Sequence, residues 1–166
     1  MKVKHLPLLT VALILPLTAS AQATKKIETK PPTCTQPVGK WKNVRGSVLD
    51  IRNYDASTGA ISGQYTSASG KSAGSTPYPV VGWINSAPAE ASAPGKETKS
   101  NHAEVIAFAV YWGKVGGLSA WIGTCAVNSQ SSGHEQISAL WHTTRPNTGF
   151  DWDHTLTGSD RFDPIE

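Results

Sequence analysis

Almost nothing in this chain repeats with the 3.6-residue period of an amphipathic helix, which argues against a helix-built fold. No dense basic cluster is present, so the concentrated positive face of a nucleic-acid binder is missing. The two cysteines have no CxxC spacing and the five histidines fall at no metal-ligand spacing, which removes a zinc site. A complete catalytic constellation is absent too. GKSAG at residues 70–74 spells the G-x-S-x-G of a nucleophile elbow, but STPYP follows, and two prolines exclude the helix that motif requires. His134-Glu135 begins an HExxH, yet Ser138 stands where the second histidine belongs. The glycines of residues 70–74 instead suit a flexible loop whose backbone N–H groups close over a ligand carboxylate.

The only sustained apolar run lies at the start. Lys2 and Lys4 precede residues 6–17, which are too few for a transmembrane helix of about 20 residues. Small residues at 19–23 offer a peptidase site, so residues 1–23 read as a cleaved secretory signal and the protein as exported, periplasmic or extracellular. Without Lys2 and Lys4 the 15 basic residues fall to 13, against 12 acidic ones, and the mature chain is nearly neutral. Cys34 and Cys125 form an even pair in an oxidising compartment, which favours one disulfide. Residues 24–38 are polar and proline-rich and read as a leader carrying Cys34; residues 39–163 suit one domain with one core.

From Gly39 onward, short runs alternate with turn formers about every ten residues, the spacing of an all-β sandwich or barrel. Eight strands are expected, at 40–43, 47–53, 60–66, 78–85, 104–112, 118–127, 135–143 and 152–162. SAPAEASAPGKETKSN, residues 86–101, reads as a low-complexity loop. The fifth strand is apolar on both faces, with Ile106, Phe108, Val110 and Trp112 on one and Val105, Ala107, Ala109 and Tyr111 on the other. Both faces are then expected to be covered, the outer one by another subunit.

Six tryptophans are a heavy load for a domain this small, and Trp112, Trp121 and Trp141 fall on three successive strands. They either fill a barrel or wall a cavity within it. Tyr65 and Ser67 lie two apart and share a face, as do Ser119 and Trp121, and Asp160 lies on the last strand. Inward-pointing hydroxyls and carboxylates left unpaired cost roughly 1–3 kcal/mol each, so water or a polar ligand is expected among them. A secreted barrel carrying a sugar or a lipophile is the alternative; a lipid carrier wants an apolar lumen, and a sugar binder places its tryptophans on an open face.

GKWKNVRGS, SGQYTSA, VGWINSAPA, AVYWGK, WIGTC, ALWHTT and WDHTLTGSDRF follow one another over residues 39–162. In order and spacing they resemble the avidin and streptavidin family, the biotin-binding β-barrels, of which streptavidin is a type example of a small barrel holding one ligand. The resemblance implies an eight-stranded antiparallel up-and-down barrel that binds biotin as a ligand, with no cofactor, metal or catalysis. It places Asn43, Ser47 and Tyr65 as donors to the ureido oxygen, and Ser67 and Asp160 as acceptors for the two ureido N–H groups. It gives Ser119 to the thioether, and Trp112, Trp121 and Trp141 to the walls. Ser69 and Lys71 fall in the loop over the ligand's tail. Trp152 corresponds to a tryptophan inserted by a neighbouring subunit of a homotetramer, and Cys34 and Cys125 to the avidin disulfide. Asn43 and Ser47 then flank a turn at 44–46, with Trp41 packed near the barrel floor.

Three positions depart from the family pattern. Arg45 stands where streptavidin and many relatives have an apolar residue, Gly117 replaces a serine that would bind the biotin carboxylate, and Thr143 replaces a leucine. The ureido set is complete and the valerate end is altered.

Overall fold

The computed structural model describes residues 30–85, 103–128 and 133–166. The expected signal at 1–23, the leader's residues 24–29 and the low-complexity segment 86–101 lie outside them. The described residues form eight strands: β1 (Gly39–Asn43), β2 (Val48–Tyr54), β3 (Ala60–Thr66), β4 (Pro77–Asn85), β5 (Glu104–Tyr111), β6 (Leu118–Val127), β7 (Glu135–Thr144) and β8 (Thr155–Ile165). Each pairs antiparallel with its chain neighbours, and β8 returns to β1 to close the barrel, with Lys40 opposite Ile165 and Asn43 opposite Phe162. Closure leaves no edge strand to pair with another chain.

Period-2 alternation explains which side chains enter. On β1, Trp41 and Asn43 are buried while Lys40 and Lys42 are exposed; on β5, Glu104, Ile106, Phe108 and Val110 turn inward. The apolar interior gathers toward one end around Trp41, Leu49, Ile51, Ile84, Ile137 and Phe162, all essentially inaccessible to water. Fully burying a side chain of this kind contributes about 1.5–3 kcal/mol. At the same end Cys34 is bonded to Cys125 on β6, its backbone N–H donates to the Glu135 carboxylate at 2.7 Å, and the Trp41 indole N–H donates to the Pro37 carbonyl at 3.0 Å. Trp41 is therefore a floor residue, as expected, and Glu135 anchors the leader.

Several boundaries differ from the sequence reading. Trp152 lies in a 3-10 turn, Asp151–His154, because the Arg145 N–H donates to the His154 carbonyl and that of Asp153 to Phe150, which keeps 151–154 out of the ladder. β8 instead runs on to Ile165, since its far half pairs with β1. Ser47 sits in the β1–β2 turn and Trp112 just beyond β5. In the chain by itself the outer face of β5 is open to solvent at Val105 and Tyr111.

Candidate ligand-binding site

An up-and-down barrel puts the C-terminal ends of its odd strands and the N-terminal ends of its even strands at one mouth. Asn43, Tyr65, Trp112 and Trp141 lie at or near the ends of β1, β3, β5 and β7, while Ser47 immediately precedes β2 and Ser119 lies at the start of β6. All six line one cavity of about 440 Å³, together with Ser67, Ser69, Trp121 and Asp160. That volume falls in the range of small-ligand sites, roughly 300–1,000 Å³.

The polar floor is set by bonds that decide which atoms face the ligand. Asn43 Oδ1 accepts the backbone N–H of Arg45 at 3.1 Å and of Ser47 at 2.8 Å. With its oxygen committed to the turn, the Asn43 amide presents its NH2 as a donor. Gly46 closes this turn at φ +90°, a region that favours glycine, and its N–H donates to the Asn43 carbonyl. Ser47 Oγ accepts from the Ala68 N–H at 3.0 Å, which leaves its own hydrogen to donate. Burial pushes the Tyr65 hydroxyl up to about 12, with the nearby Asp160 charge adding to the rise, while Ser47 and Arg45 oppose it. Tyr65 is thus neutral and a donor at physiological pH.

Acceptors lie beside these donors. Ser67 donates its hydrogen to the Ser69 carbonyl at 2.8 Å and accepts the Ser69 N–H at 3.4 Å, which leaves one lone pair as an acceptor. Asp160 is 6% exposed; its Oδ2 accepts the Trp121 indole N–H at 3.0 Å, and its Oδ1 is buried with no partner among the described residues. The Trp141 indole N–H is likewise buried and unpartnered. Native interiors seldom leave such groups unmet, and where they do the usual reason is a missing ligand or water.

The aromatic wall is held from behind. Trp121 stacks on Phe108 with ring centroids 4.9 Å apart and lies 5.1 Å from Tyr65; Tyr65 and Tyr78 meet Trp112 edge-on. Trp141 folds over its cross-strand partner Gly158, where a Cβ would come within 2.4 Å of the indole ring. Glycine there makes room for the tryptophan.

Residues 31–165 match the model of the avidin family. The chain belongs to the avidin family. No curated protein matches it. Among solved structures, core-bradavidin is 26% identical with a TM-score of 0.55, the alignment covering 76% of this chain and 97% of that one. A shwanavidin variant solved as a biotin complex is 25% identical, TM-score 0.54, with 77% and 95% covered. A biotin-binding protein from chicken shares the fold at 21% identity and TM-score 0.60, with 78% and 95% covered.

Within this avidin-family barrel the three departures have physical reasons or consequences. Gly117 has φ +102°, and a Cβ there would lie 2.3 Å from the Thr144 carbonyl oxygen, so no serine fits without moving the backbone. Thr143 lies 2.6 Å from Ser119, hydroxyl to hydroxyl, and Ser119 also accepts the Trp112 indole N–H at 2.7 Å. The threonine therefore adds a partner to a hydroxyl expected to face the ligand's sulfur. Arg45 joins the cavity wall.

Of the remaining expected residues, Lys71 lies in the 3-10 turn Gly70–Ser72, and its side chain is outside the description. Trp152 is 78% exposed, stacks on Phe150 at 4.7 Å, and does not line the cavity of its own chain. Sequence reasoning missed Arg145, Asn147 and Leu156, which also line the cavity. The signal was topological: loops after odd strands and the starts of even strands face this mouth. Among the described residues no group of three or more His, Cys, Asp or Glu side chains is placed to hold a metal ion.

Proposed function

We propose that this protein binds biotin without transforming it, with the ureido oxygen held by Asn43, Ser47 and Tyr65 and the ureido N–H groups by Ser67 and Asp160. The observation that carries this reading is the unpartnered Asp160 Oδ1 on the floor of a tryptophan-walled cavity. A cyclic urea presents one strong acceptor between two donors, and the floor offers the complement: three donors beside two acceptors. Three converging donors stabilise negative charge on the urea oxygen as they would on an oxyanion, here in the service of binding. A buried carboxylate is a poor floor for a lipophile, and enclosed tryptophans are unlike an open sugar-stacking face. The test is titration of intrinsic tryptophan fluorescence with biotin. A saturable change at one site per chain is expected; no change, with no retention on a biotin resin, defeats the reading.

The signal-like residues 1–23 support export; among the described residues no helix is long and apolar enough to cross a membrane. Homotetrameric assembly is supported by the outer face. Trp83, Ala107, Ile122 and Leu140 lie side by side across β4 to β7, and Trp83, Ile122 and Leu140 are 60%, 65% and 61% exposed. A contiguous apolar row of this kind marks an interface. Exposed Trp152 is then the residue that crosses to a neighbour's cavity. Replacing both Ile122 and Leu140 with aspartate is expected to convert the sedimenting species to monomers with the barrel's circular dichroism retained. Trp152→Lys is expected to weaken biotin binding at least tenfold; unchanged affinity would place Trp152 outside the neighbouring site.

A further inference from the structure

We infer that Arg45 makes this site selective for ligands whose tail ends in a free carboxylate, over the same ligands joined through a neutral amide; the inference rests on the biotin reading above.

The cavity is polarised along its depth. Among the described residues of its wall, the acid, Asp160, is buried at the floor, whereas the two cations, Arg45 and Arg145, come from loops after odd strands and stand at the mouth. Arg145 is neutralised where it stands. Its Nη2 donates to the Asp153 carbonyl at 2.6 Å and pairs with the Asp153 carboxylate at 2.5 Å, and its half-buried side chain keeps one unpartnered donor, Nε. Arg45 is different. Its backbone N–H is tied to Asn43, but its exposed guanidinium forms no ion pair with any described residue. Among the described residues, Arg45 is therefore the uncompensated positive charge at the mouth.

The backbone rules out the obvious substitute. At position 117 a serine that would meet the carboxylate is excluded by the conformation and by the Thr144 carbonyl. A guanidinium offers two parallel N–H donors that match a carboxylate in geometry and charge, and a neutral amide satisfies only part of that pattern. The turn that holds Asn43 also fixes where Arg45 begins, so recognition of the head and of the tail share one four-residue loop.

The test compares biotin with biotinamide in direct binding to the full chain, wild type and R45Q, at low and high salt. Wild type is expected to favour biotin roughly two- to fivefold at low salt, as a solvent-accessible charge pair allows. The preference should shrink at high salt and vanish in R45Q. R45E should invert the preference. A wild-type ratio near one, or a preference that survives in R45Q, overturns the inference while leaving biotin binding intact. A chain that binds neither ligand overturns the biotin reading, and the inference with it.

Discussion

Replacing Asp160 with alanine is expected to weaken biotin binding by roughly two to three orders of magnitude and to leave the barrel folded. The carboxylate has two tasks. Its Oδ1 is the unmet acceptor for a ligand N–H, and its Oδ2 holds the Trp121 indole at 3.0 Å. A hydrogen bond to a charged group is worth about 1.5–3 kcal/mol, and the misplaced indole adds to the loss. Stability responds differently. In the absence of ligand the buried carboxylate carries an unsatisfied oxygen, and its removal relieves that penalty while orphaning one indole N–H. The two changes oppose each other, so the melting temperature should move by only a few degrees. Asp160→Asn separates the tasks, since its amide oxygen still accepts from Trp121 while its NH2 meets a ligand donor head-on. Calorimetric titration and thermal melts of the two variants check this. Unaltered affinity in both would dismiss Asp160 as a ligand contact.

The opposite end of the barrel gives the second large effect. Cys34→Ser with Cys125→Ser is expected to lower stability by roughly 3–5 kcal/mol, because the bridge joins residues 91 apart and a loop of that length loses much closure entropy. Contacts follow the covalent link. Without it, the Cys34 bond to Glu135 and the Pro37 bond to Trp41 must hold the leader unaided. A fall of roughly 10–20 °C in melting temperature corresponds to that energy for a domain of this size. Biotin affinity measured well below the melt should change little, since the cavity lies at the other mouth. Equal melting curves with and without the bridge would show that the leader is held by its contacts alone.

Much of the site was legible because barrel topology is a local matter. Alternation within β1, β5 and β6 puts Asn43, Val110 and Trp121 inside whatever their partners are, and turn residues mark which strand ends meet. The start of β8 was illegible for the converse reason. Trp152 continues an aromatic, strand-like run, but Arg145 and Asp153, eight residues apart, lock that stretch into a turn. Arg145 passed unnoticed because a loop arginine carries no periodicity.

The sequence by itself determined the number and order of the strands and the pairing of two cysteines, since each depends on turn spacing or count, while the set of Asn43, Ser47, Tyr65, Ser67, Trp121 and Asp160 was reached through the family resemblance. Only the tertiary structure decided which atoms of those residues remain available. Trp121 takes one oxygen of Asp160 from 39 residues away, the β1–β2 turn takes the oxygen of Asn43, and Thr143 takes part of Ser119 from across the sheet. A side chain's identity is written in one residue, whereas its free hydrogen-bonding capacity is what remains after neighbours from other strands have used their share.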